Sequence, residues 1–419
     1  MSTATHQPDP RSHRAAHEAA AGQREGDARP VLAAVTGHLT PYREHMHRRI
    51  AGEIPELRLA TLVTKYRTGP WVNPAVPEIG TVMLDPEAPP EGGRRRAAFV
   101  LHEIGTARRT RAWLGAHNVA AVICGGYDEI PNVAALRWAR RRGVPAFLWA
   151  DSNEHGDRAA GLKRLVKNTY VPWACRQYAG VLVFGRAGRG FFRRYGVDES
   201  RMWTMPLEPD YELIEGLTRP EIDGVMSRFG LAAGRMRMVC CCRLVREKRV
   251  EQVIAAFARI ALERPEWDLL IVGDGPLRAA LEREVPAPLA SAGRIRLLGF
   301  QDQHTVSCIY RASHALVLAS DYEPWALVVN EAAAAGLALV TSDKVGAAYE
   351  LLADGHNGRQ FRSGDAEALA AAIREVTDPG NIEAMRERSA VEVARWRREA
   401  DPVQGLRGAL RAAGVLSAR

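Results

Sequence analysis

The stretch LVLASDYEPWALVVNEAAAAGLALVTSD, residues 316–343, determines the fold that we predict for this chain. It opens on an apolar run of strand length, passes through an acidic loop into an alanine-rich segment of helical length, and ends on a second apolar run. Two apolar strands joined by a helix are typical of a βαβ unit, in which the strands are parallel and buried on both faces. The stretch therefore predicts a parallel sheet covered by helices.

The same alternation extends along the chain in both directions. Short apolar runs are separated by amphipathic helical stretches, which favours a doubly wound α/β architecture. One run, AAFVLHEI at 97–104, fits either a strand or a helix. The other predicted strands of the first half are 31–37, 57–64, 119–126, 143–151 and 180–185, and those of the second half are 237–244, 267–275, 294–300, 314–320 and 337–343.

A chain of 419 residues is too long for one core, because single cores stop growing at about 250–300 residues. The proline-bearing stretch MPLEPDYEL, 205–213, separates the two sets of strands. We therefore expect two Rossmann-like, doubly wound parallel-sheet domains that face each other across a cleft, with ligands at the carboxyl ends of the strands. The expected divisions are a disordered tail at 1–28, a first domain at 29–206, a second domain at 207–385, and a helical segment at 386–419 that packs back toward the first domain.

The composition argues against several classes of protein. With 47% hydrophobic and 25% charged residues the chain can fill two cores, and the sequence contains neither an apolar run of 18 residues nor an apolar signal segment. The six cysteines form no CxxC pairs, so we interpret them as small buried hydrophobes in a reduced, cytoplasmic setting. The net charge of +8 is spread over helices without a nucleic-acid-binding motif. Nucleic acid is therefore not an expected partner, whereas a phosphate-bearing substrate or an anionic membrane fits the charge.

Charged residues and glycines follow the predicted strands of the second half. Arg243 and Lys248 come at the end of the first of these strands, where fixed cations suit an anionic ligand. Gly273-Asp274-Gly275-Pro276 forms a tight turn from the next strand into a helix. LGF at 298–300 places Phe300 at the end of the third strand. The carboxyl edge of this sheet is thus expected to form a polar binding site.

The acidic loop of the opening stretch leads into a helix. Pro324 suits the first turn of a helix, and the backbone N–H groups of residues 325–327 are then free to bind a phosphate or sugar oxygen. Glu323 lies just before this helix and Glu331 well inside it, so the two carboxylates face different parts of one ligand.

Taken in this order, the segments resemble the signature of retaining glycosyltransferase family 4, the glycosyl transferases group 1, whose members have the GT-B fold. The match is strongest over residues 316–358 and weakest in the first half. The chain departs from the family pattern at two positions that normally hold glycine, Cys242 and Ala326. A side chain at either position changes how closely a donor can approach the backbone.

The resemblance implies roles for the residues named above. Glu323 is expected to be catalytic and to contact the hydroxyls of the donor sugar. The other implied donor contacts divide between the diphosphate and the nucleoside. Expected at the diphosphate are Arg243, Lys248, Trp325, Ala326, Leu327 and, from the first domain, Gly37; expected at the ribose and base are Glu331, Gly273, Gly275 and Phe300.

The first half supplies candidates from its strand ends. His155, Asp151 and Glu154 compete for the position near the reacting sugar, and we favour His155, followed by Asp151. The acceptor-side candidates are His38, Tyr42, Arg43 and Asp128. GRAGRG at 185–190 is a GxxGxG pattern without a following acidic residue, so it does not indicate a nicotinamide dinucleotide site.

The predicted reaction is transfer of a hexose-type residue from a nucleoside-diphosphate sugar to an acceptor hydroxyl, with retention at the anomeric carbon. No Asp-x-Asp occurs in the chain, so neither a metal nor another cofactor is expected. Two alternatives stay open: a nucleotide-sugar epimerase on the same fold, and an inactive homologue that binds a nucleotide sugar. The sequence does not indicate the sugar, the base, the acceptor or the oligomeric state.

The segment GLKRLVKNTYVPWACRQY, 161–178, mixes basic and large apolar residues. Such a segment either lies on an anionic membrane, at the inner face if the chain is cytoplasmic, or forms a packed helix with a basic outer face. The sequence leaves both interpretations open.

Overall fold

The computed structural model describes residues 27–65, 76–85, 95–157 and 160–417. Residues 1–26 of the predicted disordered tail lie outside these ranges. Among the described residues the chain forms two parallel β-sheets, one of seven strands and one of six, each with helices on both faces. The α/β architecture with two doubly wound sheets is therefore confirmed.

The first sheet has the strand order β3-β2-β1-β4-β5-β6-β7, and every neighbouring pair is parallel. Its strands are β1 Val31–Thr36, β2 Arg58–Val63, β3 Thr81–Met83, β4 Val119–Cys124, β5 Ala146–Ala150, β6 Gly180–Val183 and β7 Met202–Thr204. Its helices are α1 Pro41–Glu53, α2 Arg95–Ala116, α3 Ile130–Arg142, α4 Gly161–Arg176 and α5 Arg186–Arg194.

The connections place these helices on opposite faces of the first sheet. The chain moves from β1 to β2 in one direction along the sheet, and from β3 through β4, β5 and β6 to β7 in the other. Because such crossovers are right-handed, α1 covers one face and α2, α3, α4 and α5 cover the other. The helices on this second face form a continuous outer layer, which we call the α2–α5 face.

The second sheet has the order β10-β9-β8-β11-β12-β13 and is also parallel. Two helices connect the domains, α6 Tyr211–Glu215 and α7 Arg219–Arg228. The strands are β8 Met236–Cys241, β9 Trp267–Val272, β10 Ile295–Gly299, β11 Ala315–Leu318, β12 Ala338–Ser342 and β13 Gly358–Phe361. The helices that follow β8 are α8 Val250–Ile260, α9 Arg278–Glu284, α10 Ala287–Ser291, α11 Gln303–Arg311, α12 Leu327–Ala334, α13 Ala348–Leu351, α14 Ala366–Val376, α15 Ile382–Glu399 and α16 Pro402–Ala412.

Three apolar cores hold this architecture together. One lies between the first sheet and the α2–α5 face, and one lies on the outer face of the second sheet. The third is shared, because it contains residues of α1, both sheets, the connecting helices, α12, α15 and α16. Helix α16 packs on β6 and β7 of the first sheet. The last two helices therefore tie the second domain to the first by burying apolar surface.

Several elements differ from those predicted. The ambiguous run at 97–104 is helical and lies within α2. The strands β3 and β7 have three residues each, too few for a recognisable apolar run, and were not predicted. Strand β13, Gly358–Phe361, was not predicted either. Helix α12 begins at Leu327 and not directly after Pro324, where a start was expected, because Ala326 adopts left-handed backbone angles that cannot continue a helix.

Candidate functional site

The centre of the candidate site is an ion pair between two loops at the carboxyl edge of the second sheet. Strands β8 and β11 are neighbours, so the loops that follow them meet. Lys248 Nζ lies 2.6 Å from Oε1 of Glu323, and the Ser320 hydroxyl donates to the same oxygen at 2.9 Å. Both charged side chains are largely buried, 16% and 11% exposed. Among the described residues Oε2 of Glu323 accepts no hydrogen bond, which leaves it available to a ligand hydroxyl.

The loop from Glu323 to Ala326 leads directly into the N-terminus of α12. Ala326 has φ 72° and ψ 74°, and it turns the chain into the helix. The first N–H groups of a helix have no partner within it, and no described residue accepts from those of Leu327 and Val328. The loop packs so closely against Gly346 that a Cβ there would lie 2.2 Å from the carbonyl oxygen of Pro324. The site thus combines a lysine, a carboxylate and a positively poled helix end.

Glu331 lies one turn into α12 and faces a different environment. Burial raises its pKa to about 7, although the Tyr310 hydroxyl opposes the shift. Burial also raises the pKa of the Tyr310 hydroxyl, and the neighbouring Cys241 and Glu331 add to that shift. A carboxyl group held in this way can bind hydroxyls either as a carboxylate or as a carboxylic acid near neutral pH.

The glycine turn after β9 has a packing reason for its glycines. Gly273 has φ +132°, and a Cβ there would lie 1.9 Å from the carbonyl oxygen of Cys242. A Cβ on Gly275 would lie 2.5 Å from the carbonyl oxygen of Leu244. The turn therefore has to pack against the loop that carries Arg243. The Arg243 side chain is exposed at the edge of this loop, and Phe300 is 42% exposed beyond the neighbouring strand.

The loop after β5 brings the first domain against this site. Asn153 is buried and donates from Nδ2 to two backbone oxygens of the other domain, those of Glu323 at 3.2 Å and Pro324 at 2.8 Å. Its Oδ1 accepts from the N–H of Gly156, which fixes the orientation of the amide. His155 stacks on Tyr349 of the second domain, with ring centroids 4.9 Å apart. The two domains therefore meet where the Glu323 loop begins.

The pKa values of Asp151 and His155, the titratable candidates in this loop, are shifted in opposite directions. Desolvation raises the pKa of Asp151, although its side chain keeps contact with solvent, and Arg43 partly offsets the shift. Desolvation lowers the pKa of His155, and Lys344 lowers it further. The Nε2 atom of His155 is buried and meets no hydrogen-bond partner among the described residues. Each shift favours the neutral form of its group at the domain boundary.

The remaining first-domain candidates lie at the ends of β1 and β4. Gly37 follows β1 beside the side chain of Lys65, which forms an ion pair with Glu129. Arg43 on α1 donates to the Thr36 hydroxyl and lies over the Trp149 ring at 5.2 Å. His38 lies in the loop between β1 and α1, and Tyr42 lies in the first turn of α1. Asp128 is exposed in the loop after β4.

The structure brings some predicted residues together and gives others structural contacts. It joins Lys248 to Glu323 directly and places Leu327 at the first turn of α12. The ring of Trp325, by contrast, is buried between the domains, where its Nε1 donates to the carbonyl of Leu207 at 3.0 Å. Sequence reasoning missed the residues that support the site, because no local motif marks them. These are Ser320, Tyr310, Asn153, Lys65 and Tyr349.

The described residues contain neither a candidate metal cluster nor a candidate membrane-spanning helix. No group of three or more His, Cys, Asp or Glu side chains lies close enough to hold a metal ion in the described part of the chain. No helix within the described ranges is long and apolar enough to cross a membrane.

Comparison with known proteins finds similarity mainly in the second domain. Residues 227–390 match the family described as glycosyl transferases group 1. The chain is 37% identical over 131 residues to an exopolysaccharide phosphotransferase of Streptomyces coelicolor, and 35% identical over 169 residues to a glycogen synthase of Mycobacterium tuberculosis. These matches span 31% and 39% of this chain but only 14% and 40% of the two relatives.

A solved structure resembles the chain over most of its length. A sucrose-phosphate synthase from Thermosynechococcus elongatus superposes with a TM-score of 0.71 and covers 92% of this chain and all of its own, at 19% identity. At this identity the likeness establishes a shared fold, two Rossmann-like domains of the GT-B type.

Proposed function

We propose that this chain transfers a sugar from a nucleoside-diphosphate sugar to an acceptor hydroxyl, because residues 227–390 match the family described as glycosyl transferases group 1. The observation that carries the proposal is the Lys248–Glu323 pair at the N-terminus of α12. A cation, a helix end and a carboxylate meet there within one small site. A nucleoside-diphosphate sugar requires that combination, because its diphosphate is anionic and its sugar presents hydroxyls.

In the proposed reaction the cations act on the leaving group. Charge develops on the diphosphate as the anomeric bond breaks, and Lys248, Arg243 and the free N–H groups of α12 stabilise it where it forms. Glu323 accepts hydrogen bonds from the sugar hydroxyls through Oε2 while Lys248 and Ser320 hold Oε1. Glu331 binds the ribose hydroxyls deeper along the helix. These roles need no metal ion, and added chelator is expected to leave transfer unchanged.

We further propose that the configuration of the anomeric carbon is retained. The departing diphosphate leaves from the face on which the acceptor attacks, and its phosphate oxygen takes the proton of the acceptor hydroxyl. His155 and Asp151 border the reacting sugar from the first domain, and His38, Tyr42, Arg43 and Asp128 border the acceptor. Retention is tested by the anomeric configuration of the product, read from its NMR coupling constants.

The first test is donor binding. A ligand that binds only the folded state raises its melting temperature by mass action, so the chain is screened against UDP-, GDP- and ADP-sugars. The matching donor is then supplied with hydroxyl acceptors and transfer is measured. Glu323→Gln is expected to reduce transfer by at least about 100-fold, because the carboxylate that orients the sugar is lost. Glu367→Gln, on the outer surface of α14, is the control and is expected to act like the wild type.

The other outcomes distinguish the alternatives. Donor binding without transfer to any acceptor would contradict the proposal and would favour an inert nucleotide-sugar-binding homologue. Release of an epimerised donor without acceptor would favour an epimerase. Transfer by Glu323→Gln at nearly the wild-type rate would remove Glu323 from the mechanism.

A further inference from the structure

Helix α4 presents large apolar side chains to solvent. Leu162 is 76% exposed, Leu165 64%, Val166 61% and Trp173 53%. At 100° per residue, these four fall within an arc of about 100°. The opposite side of the helix carries Val171, Ala174 and Cys175, which are buried against the sheet. A helix that packs on one side normally turns a polar face outward, so α4 is apolar where it should be polar.

The second domain has no comparable row of exposed apolar side chains among its described residues. Leu262 and Val391 are exposed there singly, which is ordinary for a protein surface. On the α2–α5 face, by contrast, α2 adds the exposed Phe99, Val100 and Leu101 to the row on α4. An exposed apolar row such as the one on α4 marks a surface that a membrane or another molecule covers.

The same layer of helices carries a strong excess of positive charge. Among the side chains that the structure describes, α2, α3, α4 and α5 carry three, four, four and four lysines and arginines, 15 in all, and these helices hold a single acidic residue, Glu103. Seven of the 15 pair with carboxylates outside the helices, those of Asp85, Asp157, Glu199 and Glu350, and the other eight keep the layer positively charged. The whole chain has 57 basic and 49 acidic residues, so the excess is concentrated here. Glu103 itself is buried and does not offset the charge at the surface.

A basic pocket of about 600 Å³ adjoins the apolar row. It is lined by Arg164, Arg176 and Arg194, together with Asn168. The carboxylate of Asp157 sits beneath it with a fully buried side chain and pairs with Arg164 at 2.6 Å and with Arg194 at 3.3 Å. One carboxylate cannot neutralise these cations, so the pocket keeps a net positive charge suited to a phosphate group.

We propose that the α2–α5 face, with α4 at its centre, docks onto an anionic phospholipid bilayer. The apolar row on α4 enters the interface, Trp173 lies at headgroup level, and the surrounding cations face lipid phosphates. A second copy of the chain is a poor occupant, because two faces with this excess of positive charge repel each other. Nucleic acid would match the charge but leave the leucines and the tryptophan without a partner.

The proposal does not depend on the proposed function, because vesicle binding is measured without donor or acceptor. The full chain is sedimented with vesicles of phosphatidylglycerol and phosphatidylcholine, and with vesicles of phosphatidylcholine alone. We expect binding to the anionic vesicles that weakens as salt rises from 0.1 to 1 M, since the screening length falls from about 10 to about 3 Å. Leu165→Ser with Trp173→Ser keeps the charge and is expected to weaken binding at least tenfold.

Charge variants and a matched control complete the test. Lys163→Glu with Arg176→Glu is expected to weaken binding at least about 25-fold, at about fivefold or more for each basic residue lost. Leu262→Ser with Val391→Ser removes two exposed apolar residues from the second domain and is expected to leave binding unchanged. Melting temperatures equal to that of the wild type show that each variant is folded.

Three results would overturn the proposal. The first is wild-type vesicle binding by Leu165→Ser with Trp173→Ser. The second is a dimer in sedimentation velocity that this variant dissociates, combined with no vesicle binding by the wild type. The third is tighter binding to a DNA duplex, or full displacement from vesicles by millimolar inorganic phosphate, because either would show that the face recognises a soluble anion.

Discussion

Lys248 is the residue whose role can be tested most directly, because its partner is known. Its ammonium is held 2.6 Å from Glu323 and is mostly buried, so it is already positioned before a donor binds. Lys248→Met keeps the aliphatic stem and removes the charge. We expect transfer to fall by about 10²–10³-fold, the range for loss of one preorganised group that stabilises developing charge. Steady-state kinetics with the matching donor measure the loss.

Two comparisons separate this role from a structural one. Lys248→Arg retains the charge in a different geometry and is expected to recover part of the activity. Arg259→Met breaks an exposed ion pair with Glu367 and is expected to change neither activity nor stability appreciably. If Lys248→Met melts like the wild type and also transfers sugar at the same rate, the lysine does not stabilise the leaving group.

Glu331 makes stability depend on pH. Burial raises its pKa in the folded state from 4.5 to about 7. Between these values the folded state keeps a proton that the unfolded state has released, so stability falls as the pH rises through this window and stays lower above it. Glu331→Gln cannot ionise. We expect it to be more stable than the wild type at pH 8, by at most about 3 kcal/mol, and equally stable near pH 4.5.

Urea unfolding midpoints of the two proteins between pH 4.5 and 8.5 measure this difference. Glu387→Gln, on the exposed side of α15, is the control and is expected to follow the wild type at every pH. A constant difference between Glu331→Gln and the wild type over the whole range would mean that Glu331 does not titrate in this window.

At the scale of elements, the left-handed conformation of Ala326, just before α12, lowers the stability of the folded chain. Ala326 adopts φ 72°, a conformation that costs a residue with a Cβ about 1–2 kcal/mol and glycine almost nothing. We expect Ala326→Gly to raise the free energy of unfolding by about 0.5–1 kcal/mol, since the greater freedom of glycine in the unfolded chain offsets part of the gain. Donor binding is expected to persist, because the backbone N–H groups stay in place.

The same substitution inside the helix is expected to act in the opposite direction. Ala332 lies in α12 with helical angles, so Ala332→Gly loses about 1 kcal/mol of stability. Chemical denaturation of both variants gives the comparison. Equal losses in Ala326→Gly and Ala332→Gly would contradict the left-handed assignment.

The strands that were predicted and those that were missed differ in length and position. Runs such as 314–320 and 337–343 are buried on both faces of a parallel sheet, which leaves a continuous apolar signal in the sequence. Strands β3 and β7 are edge strands of three residues each, and such strands need little apolar surface. Element types could thus be predicted in the interior of each sheet, but less well at its edges.

The part of the candidate site that lies at strand ends could be predicted from the sequence. Glu323, Lys248 and the start of α12 follow strands, and parallel strands end at a common edge of the sheet. Asn153 was missed because its amide acts on a loop 170 residues away in sequence, and nothing beside it in the chain indicates this contact. The role of Ala326 as the left-handed turn was missed because alanine seldom occupies that conformation.

At the scale of the molecule, a shared core and a few polar contacts join the domains. Rings follow one another from Trp149 through Phe184 and Trp325 to Trp396, with neighbouring centroids 5.7, 6.1 and 5.7 Å apart. Glu350 accepts from the backbone N–H and the side chain of Arg186 across the boundary. The apolar part of this interface is extensive, so a single polar contact is expected to adjust the domain arrangement without separating the domains.

Asn153 is the polar contact best placed to couple that arrangement to the site. Its Nδ2 donates hydrogen bonds to the carbonyls of Glu323 and Pro324. Closure of the two domains is therefore coupled to the conformation of the Glu323 loop. Asn153→Ala removes both hydrogen bonds, and Asn153→Asp also sets a carboxylate against two carbonyl oxygens. We therefore expect transfer to fall about tenfold in Asn153→Ala and further in Asn153→Asp, with a larger radius of gyration in solution scattering.

Asn381→Ala provides the matched control, because among the described residues the Asn381 side chain makes one hydrogen bond, which it donates to the carbonyl of Glu375 in its own domain at 3.0 Å. It is expected to lower stability by about 1 kcal/mol and to leave the radius of gyration and the rate of transfer as in the wild type. The order of the two Asn153 variants is the sharper criterion. If Asn153→Asp transfers sugar as well as or better than Asn153→Ala, the amide does not hold the loop through its two donated hydrogen bonds, and closure must depend on the aromatic row and the Arg186–Glu350 pair.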